Sequence, residues 1–221
     1  KEIKSTNEQV VKKKVLYSIR IKDLLLCKYF VIMNSLMNLR LRRIETENAV
    51  TEDLFLLYEE AFPLEERRDR EQLLTLIKKE KRMFFCAIEV DDELNLKGSA
   101  HCGFLIYWHF SNFYYLEHFS IFSCLRNLKI GEKVLSVIEK ELPMLRLLEV
   151  EPAVDEFSTR RVLYYQRNGY EILTKEYIQP SYRSETSNLQ LWIMGSEATN
   201  HLEEYLEMIR LSVYINPLIV R

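Results

Sequence analysis

The chain has 221 residues, of which 48% are hydrophobic, 12% aromatic and 29% charged, a composition that excludes a disordered, collagen-like or low-complexity polymer and supplies material for a large core. Thirty-one Lys and Arg face 33 Asp and Glu, for a formal net charge of -2, so there is no molecule-wide basic field for nucleic acid. Cys27, Cys86, Cys102 and Cys124 are widely spaced, with no CxxC and no Cys/His ligand spacing. They read as reduced thiols of a cytoplasmic protein, and no metal site is expected.

Basic residues crowd the first 36 positions (Lys1, Lys4, Lys12, Lys13, Lys14, Arg20, Lys22 and Lys28), opposed only by Glu2, Glu8 and Asp23. The apolar stretch 15–33 is broken by Arg20, Lys22, Asp23 and Lys28. Each would cost roughly 2.5–3.5 kcal/mol near a bilayer centre, so no membrane span is expected. Met33 and Met37 precede the first strand pattern. The expectation is that residues 1–36 form an appended basic segment and that 37–221 is a single domain. The alternative is a basic amphipathic helix lying on the body or on a membrane surface.

In chain order, 38–44 alternates as a strand. Residues 51–62 place apolar side chains on one helical face, with Thr51 as cap and Pro63 as stop. The charged stretch 65–81 reads as a second, solvated helix. Three strands follow at 83–90, 98–108 and 113–122, with Gly103 marking a bulge or a close backbone approach. A helix runs from Gly131 to Pro143, a short buried strand covers 146–150, and a helix covers 158–167, closed by Asn168 and Gly169. Strands at 170–173 and 189–194 and a C-terminal helix at 200–213 complete an α/β chain, a mixed sheet with helices on its faces.

The most informative segment joins the 113–122 strand to the helix after Gly131. A strand that turns tightly into a helix leaves the first backbone N–H groups unpaired, an anion site suited to phosphate. Arg126 and Lys129 add positive charge there, and Gly131 permits close approach. An ordinary βα turn with a surface Arg and Lys is the plainer reading of the same residues.

Arg126-Asn127-Leu128-Lys129-Ile130-Gly131, followed by Val134-Leu135, resembles the acyl-CoA-binding motif R/Q-x-x-G-x-G/A of the GNAT (Gcn5-related N-acetyltransferase) superfamily. Lys129 departs from it by replacing the first glycine. Arg161 to Tyr170 resembles the family's A-x-x-x-Y-x-x-x-G-F/Y helix end, with Tyr165 at its tyrosine. Leu148 to Pro152, Tyr177 to Tyr182 and Phe62 to Arg67 resemble one bacterial branch of it. The resemblance spans about residues 38–195. It implies a GNAT fold, in which two parallel strands, near 115–122 and 146–150, splay apart to receive the pantetheine arm of acetyl-CoA. It further implies that Phe119, Ser120 and Ile121 supply the strand edge, and that Arg126, Asn127, Leu128, Lys129, Ile130, Gly131, Glu132 and Lys133 form the pyrophosphate loop.

The reaction implied is acetyl transfer to a small-molecule or peptide amine by direct attack, with no metal. A thiolate near pKa ~8.5 and a tyrosine near ~10 make Tyr165 a reasonable acid for the leaving group. Glu117 is the candidate base, placed by strand parity on the face of Phe119 and Ile121, with His118 opposite. Glu149 and Glu151 are candidate contacts for a cationic substrate or a relay water. The aromatic run Trp108, Phe110, Phe113, Tyr114 and Tyr115 reads as core packing, with a substrate pocket as the alternative. The competing function is a GNAT-fold module that binds acyl-CoA, or only partners, without turnover; Lys129 favours it.

Overall fold

In the computed structural model, which describes residues 38–46, 52–91, 101–126, 128–183 and 189–215, strands and helices follow the expected order. The chain runs β1 (Asn38–Ile44), α1 (Glu52–Ala61), a 3₁₀ turn (Leu64–Glu66), α2 (Arg70–Lys79), β2 (Met83–Asp91), β3 (His101–His109) and β4 (Phe113–Ile121). After a second 3₁₀ turn (Ser123–Leu125) come α3 (Ile130–Glu141), β5 (Leu145–Val150), α4 (Glu156–Arg167), β6 (Glu171–Gln179) and β7 (Leu189–Gly195). The last helix, α5 (Leu202–Ile209), continues into a π-helical turn (Arg210–Ile215). Residues 1–36, Thr51, Asn127 and the start of the expected 98–108 strand lie outside the described residues.

The strands form one seven-stranded sheet in the order β1-β2-β3-β4-β5-β7-β6. Every pairing is antiparallel except β4 with β5. Alternation along β3 sorts the layers. Tyr58 of α1 packs edge-on against Phe104, and Tyr205 of α5 stacks on Phe113, so α1 and α5 cover one face. On the other face, Tyr164 of α4 lies against the start of α3. The run Trp108, Phe110, Phe113, Tyr114 and Tyr115 is buried core. Cys86 and Cys102 are buried free thiols.

Three expectations need correction. The charged stretch 65–81 is not one helix. Asp69 accepts from the Gln72 amide at 2.8 Å and Gln72 reaches back to Asp69, a capping box that restarts the chain as α2. The strand expected at 170–173 runs on to Gln179, because it is a sheet edge paired with β7 as far as Leu189. The C-terminal helix loses its α geometry at Arg210.

Gly103 sits where a Cβ would lie 2.1 Å from the Ser120 carbonyl, so the close approach is real. Next to it, Ile88 pairs with Gly103 while Glu89 pairs with His101, which bulges Cys102 out of register. Among the described residues no helix is long and apolar enough to cross a membrane.

Candidate active site

β4 and β5 pair over four residues, from Phe113↔Leu145 to Leu116↔Leu148, and no further. β4 nevertheless continues to Ile121 and β5 to Val150. The cause is a bulge. On the other side of β4, Ile106 pairs with His118 but Tyr107 pairs with Leu116, so Glu117 is the extra residue. A bulge bends its strand and increases its twist, and here it turns β4 away from β5. A cleft of about 730 Å³ opens at that point. Its walls come from both faces of the sheet, with Ala61 and Phe62 on one and Tyr164 and Tyr165 on the other. Phe119, Ser120 and Ile121 line it from the freed length of β4.

The bulge also overturns the parity argument. Glu117 and His118 turn to the same face, with His118 Nδ1 3.8 Å from the Glu117 carboxylate. His118 packs edge-on against Tyr58 and Phe62, and its Nε2 meets the Glu66 carbonyl at 2.9 Å. Burial pushes its imidazole down to about 3, so it stays neutral.

At the end of the freed β4 segment, α3 begins. Asp155 and Ser158 close the start of α4 with a capping box, as Asp69 and Gln72 do for α2. The first turn of α3 receives no side-chain cap. Its N-cap, Lys129, has φ 59° and ψ 12°, the one left-handed non-glycine among the described residues. This is the position where the family motif has glycine, and it explains why glycine suits it.

Of the expected loop residues, Arg126, Lys129, Gly131 and Glu132 line the cleft. Ile130 is core, and Leu128 packs partly buried against that core. Lys133 is half-buried and is not part of the cleft lining. Asn127 lies outside the described residues.

A Cβ on Gly131 would sit 2.7 Å from the Tyr164 hydroxyl. That hydroxyl is buried and has no hydrogen-bond partner among the described residues. Sequence reasoning missed Tyr164, and it missed Arg160 and Arg167, which also line the cleft. Their spacing along α4, at 160, 164 and 167, is one helical stripe and was the available signal.

Glu117 and Glu149 both line the cleft, and their partners differ. Glu117 has no exposed side-chain surface, and its two oxygens face the Arg68 guanidinium and the Trp108 indole N–H, the latter at 2.7 Å. Arg68 also donates to the Val213 carbonyl at 2.6 Å and lies over the Tyr182 ring. Glu149 is the first residue of β5 past the last pair with β4, and it lines the cleft. The groups that reach it among the described residues are neutral: the Gln179 amide and the Tyr214 hydroxyl, at 3.0 Å, donate to it, with the Tyr115 and Tyr177 phenols beside them. Burial pushes its carboxyl above the usual range. Glu151 lies beyond β5, pairs with Arg161 at 2.6 Å on the exposed rim and is absent from the cleft wall, which corrects its grouping with Glu149. Tyr165 lines the cleft, and burial pushes its phenol up. Among the described residues no group of three or more His, Cys, Asp or Glu is placed to hold a metal ion.

No family model and no curated protein matches the chain. Solved structures do. A Bacteroides thetaiotaomicron protein assigned to the GNAT family of acetyltransferases shares 30% identity and superposes with a TM-score of 0.71. The match covers 79% of this chain and 98% of that one. The chain belongs to the GNAT family of acyltransferases. More distant GNAT-fold neighbours include a Bacillus subtilis acetyltransferase in complex with CoA, at 12% identity, covering 74% and 99% of the two chains with a TM-score of 0.48. Another is an aminoglycoside 6′-N-acetyltransferase complexed with coenzyme A, at 15% identity, covering 72% and 98% with a TM-score of 0.47. Within the GNAT frame, the parted β4 and β5 and the open α3 start are the two features that the sequence motifs anticipate.

Proposed function

We propose that the protein transfers an acetyl group from acetyl-CoA to an amine by direct attack within a ternary complex. The observation that carries this is the parting of β4 from β5 after Leu116, with the uncapped start of α3 at the far end of the gap. The freed β4 edge offers backbone groups to the pantetheine amides, as an added strand would. The first-turn amides of α3, with Arg126 and Lys129, face the diphosphate. The buried Tyr164 hydroxyl at Gly131 is a further donor for a phosphate oxygen.

Catalysis then needs the thioester carbonyl polarised by a β4 amide, a proton for the leaving thiolate and a place for the amine proton. Tyr165 supplies the first proton. Its raised pKa keeps the phenol protonated at neutral pH, and widens the gap that the transfer to thiolate must cross. Glu117, with both oxygens engaged, serves as the anchor of Arg68. The acceptor is a small-molecule or peptide amine entering past Ala61 and Phe62. A cytosolic setting belongs to the same proposal.

Calorimetry with acetyl-CoA, followed by thiol release against an amine panel, tests it. Micromolar binding with amine-dependent release is expected, and no binding at high micromolar ligand overturns it. The strained Lys129 in the loop favours a second reading, a fold that holds acyl-CoA without turnover. Binding without release against any amine would carry that reading.

A further inference from the structure

The cleft has an open end and a closed end, and the two differ in chemistry. At the open end, beyond Ile121, α3 begins with its first turn uncapped, beside Arg126 and Lys129. At the closed end the last pair of the parallel strands is Leu116↔Leu148. Both leucines line the cleft, and they are 6% and 3% exposed. Opposed residues of a pair share a face of the sheet, and neighbours along a strand alternate. The Tyr115 hydroxyl meets Tyr214 on the α1 and α5 face, so Leu116 and Leu148 turn to the face that carries α3 and α4, where Tyr165 also lines the cleft. Glu117 and Glu149, next along each strand, turn the other way, to Arg68 and to Tyr214, which leaves the closed end apolar. Behind the leucines, Tyr115↔Leu147 hold the strands together, with both side chains buried.

We propose that Leu116 and Leu148 form the stop that sets the length of the acyl group, admitting acetyl and turning away longer chains. This rests on the acetyl-transfer reading above and deepens it. With the diphosphate at the start of α3, the pantetheine arm runs back along the freed edge of β4 and brings the thioester to Leu116. The three substituents of a thioester carbonyl carbon lie in one plane. Sulfur arrives from the open end and oxygen takes the β4 amide, so the acyl chain points at the two leucines. A methyl group ends against them. Each further methylene must displace a buried leucine side chain, because the strands behind are paired. One methylene in such an apolar pocket is worth about 10–200-fold in discrimination. Neither leucine carries a group that gives or takes a proton, so both act on selectivity and not on the chemistry.

Calorimetry on the whole chain with free CoA, acetyl-CoA, propionyl-CoA and butyryl-CoA tests this without an acceptor amine. Dividing each thioester affinity by that of free CoA isolates the acyl group. In the wild type, propionyl-CoA should bind at least ~10-fold more weakly than acetyl-CoA, and butyryl-CoA ~10²-fold more weakly. Leu148→Ala shortens the stop and should bring butyryl-CoA back by ~10-fold or more relative to acetyl-CoA. Leu148→Val, a smaller cut that suits a strand, should relax the discrimination against propionyl-CoA, and it decides the case in which Leu148→Ala does not fold.

A wild type that binds the three thioesters within about threefold of one another overturns the inference and leaves acyl transfer standing. So does a discrimination that the folded Leu148 variants leave unchanged. A wild type that binds neither CoA nor acetyl-CoA overturns the acetyl-transfer reading as well.

Discussion

Arg68 and Glu117 meet where almost no water reaches, their side chains 4% and 0% exposed. Removing one partner of such a pair leaves a buried charge. Arg68→Met should cost about 3–5 kcal/mol, and pairing it with Glu117→Gln should recover part of that loss. Urea unfolding measures both, and equal losses would mean that packing on Tyr182, not charge, sets the cost. Glu149 predicts a pH effect. The fold raises its pKa above 4.5, so the folded chain binds that proton more tightly than the unfolded one. The stability tied to the proton is complete below 4.5 and is lost as pH rises through the folded value. Glu149→Gln should therefore gain on the wild type in melting temperature as pH climbs; a constant difference across pH 4 to 8 would sink this. Lys129 predicts a gain of another kind. A left-handed non-glycine costs ~1–2 kcal/mol, and glycine returns ~0.5–1 of that through its freer unfolded state. Lys129→Gly should stabilise by the remainder, about 0.5–1 kcal/mol, in the same urea assay.

At the scale of elements, the decisive feature is one extra residue in β4. Strands and helices were legible from periodicity because their apolar positions repeat at the spacing of each element, and the open α3 start was legible from the turn that precedes it. The bulge was not. Glu117 is neither Gly nor Pro, and strand parity is blind to a register that only the β3 partner defines. Arg68 was invisible for a similar reason. A buried ion pair joins residues 49 positions apart, and the sequence around Arg68 reads as a solvated helix. The division of β4 into a paired and an unpaired half makes a prediction for hydrogen exchange. Amides in 117–121 that face the cleft should gain protection when acetyl-CoA is added. Those in 113–116, already paired with β5, should not change. Protection spread evenly over β4 would place the ligand elsewhere.

The whole molecule closes on its cleft through the C-terminal turn. β1 and β6 are the sheet edges, yet the turn at Arg210–Ile215 reaches the centre of the sheet face. From there the Val213 carbonyl accepts from Arg68, while the Tyr214 hydroxyl serves Glu149, and both residues are buried. A π-helical turn is rare and costs backbone geometry, and here it sets two successive residues toward two different glutamates' environments. Deleting 210–221 removes an acceptor from a buried guanidinium and a donor from a buried carboxyl. Hydrogen bonds to charged groups are worth ~1.5–3 kcal/mol each, and burial of Val213 and Tyr214 adds a similar amount per side chain. The sum approaches the ~5–15 kcal/mol that holds a typical domain together. The shortened chain should therefore melt far lower or lose its cooperative transition, whereas Tyr214→Phe, which keeps the ring, should cost only ~1–2 kcal/mol. Thermal unfolding of the two variants separates these cases. A truncated chain as stable as the wild type would show that the turn merely rests on the sheet, and that Arg68 and Glu149 find water or other partners without it.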